Sequence, residues 1–198
     1  MKKFLILSFI FFLVPLKSFS LIEVDITRGN LNPLPLAVSP LSIDDNSRKN
    51  FKRILDKENI GSAISLIVEK NLKTSGLFNP LDKDAFLQAP DIANLKPRFE
   101  DWNLIKAQAL ITGKVNYVDE KLRVEFRLWD VLAAKEMMAL AFTTVPSNWR
   151  RVGHIISDKV YERLTGEKGY FDTRIIYVAE EGPKTNRIKK LAIMDQDG

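Results

Sequence analysis

The sequence predicts an α+β fold in two layers, with two amphipathic helices packed on one face of a largely antiparallel sheet. Between Ala107 and Thr144 the apolar residues recur at every second position, the period of a strand with one buried face. Over residues 60–75 and 147–165 they recur at spacings of three and four, the period of a helix with one apolar stripe. A chain of 198 residues that is 45% hydrophobic and 28% charged can build one ordinary core, which excludes wholesale disorder and collagen. It has no cysteine and one histidine, so thiol catalysis, disulfides and cysteine-type zinc sites are excluded, and no pair of histidines exists to hold a metal.

The chain starts as an export signal. Lys2 and Lys3 precede an apolar run, Phe4 to Val14, broken only by Ser8, and Pro15 and Ser18-Phe19-Ser20 complete the pattern read by a signal peptidase. As a helix that run would reach roughly 16 Å, against about 30 Å for a bilayer core, so it is read as a cleaved leader and not as a span. Cleavage is expected after about Ser20. The chain carries 30 basic and 25 acidic side chains, a formal charge of +5. Lys2, Lys3 and Lys17 leave with the leader, which has no acid, and the remaining +2 is too small a field for nucleic acid.

Residues 22–27, Ile-Glu-Val-Asp-Ile-Thr, alternate apolar and polar and predict a short strand. Placed next to the cleavage point, they can form a free arm that adds to a partner's sheet, or an edge strand of their own domain. Leu34 to Ser39 is a second apolar stretch whose flanking Pro33, Pro35 and Pro40 suit a sheet edge or a strand's ends. Residues 42–59 mix both charges and read as a solvated linker or frayed helix. Ile60, Ala63, Ile64, Ile67, Val68 and Leu72 make the stripe of the first helix, with Asn59 as N-cap, Gly76 at its end and Phe78 over its last turn. Asn79-Pro80 stops it. Residues 81–100, with Pro90 and Pro97, read as a loop with a helical turn near Asp82 to Leu87.

The meander follows. Ile111, Gly113, Val115 and Tyr117 share a face, Asp119-Glu120 turn, Leu122, Val124, Phe126 and Leu128 alternate with charged residues, and Met138, Leu140 and Phe142 continue the pattern. Trp149, Val152, Ile156, Val160 and Leu164 are the stripe of the second helix, capped by Ser147 or Asn148 and closed by Gly166. Arg174 to Glu180 and Ile188 to Met194 form a hairpin around Gly182 to Asn186. A lone hairpin is marginal in water, so it is expected to open a module that the chain does not complete.

Catalytic and metal motifs find little here. His154 has no acid or nucleophile at a recognisable spacing and reads as a packed or surface residue. Gly166-Glu167-Lys168-Gly169 follows a helix instead of opening one, so it reads as a helix stop and not a phosphate loop. Asp195-Gln196-Asp197-Gly198 resembles part of a calcium loop but reads better as a turn. Arg150, Arg151, Lys159, Arg163 and Lys168 are interleaved with Asp158, Glu162 and Glu167, the pattern of a solvated helix face. Trp102, Trp129 and Trp149 are too far apart to imply a cage.

Three segments carry a family likeness: Ser75-Gly76-Leu77-Phe78-Asn79-Pro80, the Ala107 to Val115 strand with Thr112-Gly113-Lys114-Val115, and Val160 to Gly166 followed by Gly169 to Val178. Together they resemble the TolB family, periplasmic components of the Tol–Pal system of Gram-negative bacteria, and the likeness runs from about Ile22 to Gly198. It implies a mixed-sheet N-terminal domain over residues 21–168, with an arm at 21–28, and the first strands of a six-bladed β-propeller over 169–198. It also implies a periplasmic, non-enzymatic adaptor with no cofactor, linking inner-membrane TolA to the outer-membrane lipoprotein Pal, in outer-membrane constriction at division and envelope integrity. Other outer-membrane proteins are further possible partners, and neither nucleic acid nor a membrane span is implied. The family's TolA-binding segment maps to Ile22, Glu23, Val24, Asp25, Ile26 and Thr27. Its Pal-binding surface lies on the propeller, where no residue of this chain can be named. The long charged connection at 42–59 and the serines at the cleavage site depart from the family pattern. The competing expectation is a propeller-linked periplasmic hydrolase or solute-binding domain, and a serine hydrolase would have to build its site around His154.

Overall fold

A computed structural model of the chain describes residues 32–198. The leader at 1–20 and the strand expected at 22–27 lie outside the described residues. A mixed sheet runs β3-β1-β4-β5-β6. Its strands are β1 (Leu34–Val38), β3 (Phe78–Pro80), β4 (Ala109–Val118), β5 (Lys121–Asp130) and β6 (Lys135–Thr144), and β2 (Ser42–Ile43) pairs with the far half of β4. The pairings β1–β3, β1–β4 and β2–β4 are parallel; β4–β5 and β5–β6 are antiparallel. The meander is as predicted, and Asp119 and Glu120 turn with φ of 49° and 60°, the left-handed pair of a tight hairpin.

Of the two readings its prolines allow, β1 takes the second: Pro33 and Pro40 flank its ends, and it is not an edge strand. It lies between β3 and β4, and the reason it can do so is local. The Pro35 carbonyl accepts from the Gln108 N–H, so the missing Pro35 N–H faces β4, one residue ahead of the first β1–β4 pair at Leu36 and Ala109. Asn79-Pro80 does end the helix before it, but as part of β3, where Pro80 sits on the outer strand.

Within the charged connection at 42–59, the helical of its two readings holds: Asp45–Leu55 is a helix, α1, and not a linker. Asp44 caps it, accepting from the Ser47 N–H at 2.9 Å and the Ser47 hydroxyl at 2.6 Å. The same hydroxyl accepts from the Tyr117 N–H at 2.7 Å, and Phe51 is fully buried edge-on to Tyr117, so the cap ties α1 to β4. Asp44→Ala is expected to cost about 1 kcal/mol in urea unfolding at neutral pH. The Ser47 hydroxyl, then its amide, hold the Asp44 carboxyl below the usual aspartate range. Its stabilisation is therefore complete above about pH 4 and fades as pH falls through the lower folded value, so the two proteins' stabilities should converge in acid.

The two long helices are α2 (Ile60–Thr74) and, leaving the numbers between for two short ones, α5 (Trp149–Thr165). Ile64, Val68 and Leu72 from α2 and Val152, Ile156, Val160 and Leu164 from α5 pack on Leu36, Ile111, Val124, Phe126 and Leu128. The expected stripes are thus the core. Gly76 and Gly166 end the helices at φ of 74° and 76°. Asn59 and Asn148 stand at the expected N-cap positions, but neither side chain bonds its own helix. Asn59 Oδ1 accepts from Arg48, and Asn148 Nδ2 donates to Thr144.

Residues 81–100 are less of a loop than their prolines imply. A 3₁₀ turn at Lys83–Ala85 fits the expected helical turn, but α3 (Pro90–Leu95) and α4 (Phe99–Leu104) follow it. Pro90 opens α3 at a position where no N–H is needed. These pieces cover the second sheet face at its parallel end, where Ala37, Ala93, Trp102, Ala107, Leu110 and Val131 form a small separate cluster. After α5 the chain makes the expected hairpin, β7 (Arg174–Glu181) with β8 (Ile188–Asp195), as a separate two-stranded sheet. Among the described residues no helix is long and apolar enough to cross a membrane.

Candidate functional site

Ile22 through Thr27, the segment expected to bind a partner, lie outside the described residues. The arrangement of polar groups that the structure does show lies on α5, between α2 and the hairpin. It begins with a close helix crossing: a Cβ on Gly153 would come within 2.9 Å of Ile67 Cγ2. That approach buries polar residues of both stripes. Asn71 Nδ2 lies 3.0 Å from Ser157 Oγ and 3.0 Å from His154 Nδ1, and the Ser157 hydroxyl donates to the Gly153 carbonyl at 2.9 Å. With Asn71 donating to Nδ1, a neutral imidazole carries its proton on Nε2.

His154 is the packed residue of its two readings, but it does face an acid, which its spacing in the sequence does not suggest. It is 2% exposed, and its Nε2 faces Asp197 Oδ1 at 3.6 Å, with no hydrogen-bond partner among the described residues. Asp197 arrives from the turn after β8, closed by the Gly198 N–H on the Asp195 carbonyl, as the turn reading expects. Its two carboxylate oxygens accept from Arg150 Nη2 at 2.9 and 2.8 Å, while Asp195 lies 3.9 Å from Arg150 Nε and 3.8 Å from Arg174 Nε.

Three ligand atoms from His154, Asp195 and Asp197 lie within 4.8 Å of one another. Arg150 Nη2 alone already engages both Asp197 oxygens, so the group comes with its own cation. Nor do Ser157, His154 and Asp197 form a nucleophilic triad: the Asn71 amide stands between serine and imidazole, and Ser157 is fully buried.

A second fastening lies one turn along α5. The Asp158 carboxylate accepts from the Phe171 N–H at 2.6 Å and the Asp172 N–H at 3.1 Å, Arg151 pairs with Asp172 at 3.1 Å, and Phe171 is fully buried. Gly169 is more than a helix stop, because a Cβ there would lie 2.4 Å from Asp158 Cα. So Arg150, Arg151 and Asp158, read as one solvated face, reach beyond their helix; Lys159 and Glu162 do pair on it, at 2.8 Å. The three tryptophans stay apart. Trp102 is core, Trp129 Nε1 donates to Thr112, and Trp149 carries Lys57 over its ring at 5.3 Å. An open cleft of about 600 Å³ beside α1 is lined by Asp44, Asp45 and Asp91 together with Arg48 and Lys114.

One signal of the α5 site was present in the sequence: Asn71 and His154 are polar residues on otherwise apolar stripes. Their pairing depends on the crossing at Gly153, and Asp197 is brought in by the hairpin.

The TolB amino-terminal domain family matches residues 22–137. A protein from Pelagibacter ubique (strain HTCC1062), named Tol-Pal system protein TolB, is 82% identical over 192 residues, which is 97% of this chain and 43% of that protein. The chain thus spans less than half the length of that relative. TolB from Acinetobacter baumannii shares the fold, with a TM-score of 0.67 at 24% identity over 90% of this chain and 40% of that one.

Proposed function

We propose that this chain, which belongs to the TolB amino-terminal domain family, serves in the periplasm as a non-catalytic adaptor of the Tol–Pal system, linking TolA at the inner membrane to Pal at the outer one. The observation that carries the proposal is the 82% identity to a Tol–Pal TolB over 97% of the chain. In this reading residues 1–20 are removed on export and 21–168 form the N-terminal domain. Residues 169–198 begin a propeller blade, whose later strands would hold the Pal surface. The hairpin's exposure supports this: Ile176, Val178, Leu191 and Ile193 are each more than half exposed, as in strands that pack on neighbours in a larger β structure.

The TolA contact falls to the arm at 21–28. Ile22, Val24 and Ile26 alternate with Glu23, Asp25 and Thr27, so an added strand would turn the first three to one face while its backbone pairs with the partner's sheet edge. With purified TolA immobilised, the chain starting at Leu21 is expected to be retained and the chain starting at Gly29 to pass through. Retention of both would overturn the arm assignment and leave the family membership untouched.

A further inference from the structure

β6 is the last strand of its sheet, paired with β5 on one side and, among the described residues, with no strand on the other. A bare edge offers its N–H and C=O groups to any strand, and proteins guard such edges with charge, proline, bulges or a covering side chain. Every guard on β6 stands at its first three residues. Lys135 and Glu136 are charged, the register slips so that Met137 has no partner on β5, and Arg163 of α5 donates to the Met137 carbonyl at 3.3 Å. From Met138 to Thr144 there is no charge, no proline and no bulge. The two faces of that stretch set different demands on a strand laid beside it. Toward the helices, Met138, Leu140 and Phe142 lie across from Leu128, Phe126 and Val124, and Leu140 is still 38% exposed. On the opposite face Ala139, Ala141 and Thr143 are exposed and lie across from Arg127, Glu125 and Arg123. The alanines are too short to fill their places, which leaves an open recess of about 200 Å³ between them and the two arginines. Lys114, Arg123 and Arg127 share only Glu125 and Glu136 there, at 3.4, 2.9 and 3.3 Å, so the face keeps one positive charge in surplus.

We propose that Met138–Thr144 is the docking edge for an extended segment of another protein, with apolar residues at alternate positions and two acids four residues apart. Its backbone continues the ladder of the sheet, and its apolar residues cover Met138, Leu140 and Phe142. Its acids reach over Ala139 and Thr143 to Arg127 and Arg123, and such pairs of opposite charge hold the register. The neutral residue between the acids faces Ala141, behind which stands Glu125. A second copy of β6 is a poorer occupant, because running antiparallel it would set alanine and threonine against alanine and leave the recess unfilled. The chain's own arm at 21–28 carries Glu23 and Asp25 two residues apart, so one of them would meet Glu125. α5 meets β6 through Arg163 but holds the hairpin through Arg150, Arg151 and Asp158, so the edge shares none of the hairpin's fastenings. The proposal is independent of the partner assignment above.

The probe is the end-blocked peptide Val-Glu-Val-Thr-Val-Glu-Val, titrated into the isotope-labelled chain starting at Leu21. Amide NMR should show saturable shifts centred on Met138–Thr144. The counterpart peptide with lysine at both glutamate positions should bind at least tenfold more weakly. In the variant carrying Arg123→Glu and Arg127→Glu the preference should reverse, a result that a misfolded protein would not give. Equal affinity for the two peptides, or no shifts at β6, would overturn the proposal. So would shifts seen only in the chain starting at Gly29, which would make the chain's own arm the occupant. Self-association in sedimentation velocity that Leu140→Lys abolishes would likewise overturn it, in favour of a second copy.

Discussion

Trp102→Ala is expected to lower the stability of the domain by about 4 kcal/mol, which for a chain of this size lowers Tm by about 8–16 °C. Trp102 is 1% exposed and is the largest side chain of the cluster on the second sheet face. Its ring meets Phe86 edge-on at 5.0 Å, and its Nε1 donates to Gln88 Oε1 at 2.7 Å. The same oxygen accepts from the Arg98 N–H at 2.9 Å, so one buried amide joins the start of α4 to its own ring. Truncation leaves a large cavity against Ala37, Leu110 and Val131 and removes one of the two donors on Gln88. Because Ala37 and Leu110 belong to β1 and β4, the loss is transmitted to the sheet that the long helices share. Trp102→Phe keeps most of the volume and loses only the donor, so thermal melting should show about half the drop. A Tm within about 2 °C of the unmutated chain for Trp102→Ala would mean that the second face folds independently of the sheet.

The second face also marks where the sequence stops being legible. The meander can be read because Leu122, Val124, Phe126 and Leu128 alternate with charges along a strand of ten residues, and sequential strands pair with their neighbours. The long helices can be read because each stripe keeps its spacing over more than three turns. Of the parallel strands only β1 can, as the apolar stretch Leu34 to Ser39, and its pairing cannot. β1, β2 and β3 have five, two and three residues, too few for a period, and their partners lie far along the chain, as in Leu34 with Phe78. Pro35 and Pro90 mislead for a single reason. A missing N–H matters only if a partner was waiting for it; Pro35 faces the start of β4 before its ladder begins, and Pro90 sits in a first helical turn. α1 stays open between linker and frayed helix in the sequence because its one deep apolar anchor is Phe51, and one residue makes no stripe. At the α5 site the polar exceptions Asn71 and His154 are visible in the sequence, whereas the carboxylate that faces His154 belongs to a turn that only the fold of the hairpin delivers.

Gly61→Ala is expected to destabilise the chain by about 2–3 kcal/mol, although alanine is the better helix former by up to about 1 kcal/mol. Gly61 lies in the first turn of α2, and a Cβ there would stand 2.2 Å from the Leu41 carbonyl oxygen. That oxygen is backbone and cannot swing aside as a side-chain tip could. Leu41 is fixed from two further directions. Its N–H donates to Ser65 Oγ at 3.0 Å, one turn along the same helix, and Leu41 Cδ2 already lies where a Cβ on Gly113 would come within 2.9 Å. Relief therefore requires either moving the 39–41 turn off α2, which breaks the Ser65 bond and strips the buried Ser65 of its contact, or tilting the first turn of α2 away from the sheet and unpacking the fully buried Ile60 and Ile64. Both routes cost more than the gain in helix propensity. Ser62→Ala, one residue on and exposed, meets none of these contacts and should stay within about 0.5 kcal/mol of the unmutated chain. Urea unfolding of the two variants side by side separates propensity from contact: if Gly61→Ala proves as stable as Ser62→Ala, the turn at Leu41 yields freely and the close seating of α2 on the β1–β2 connection does not contribute to the fold.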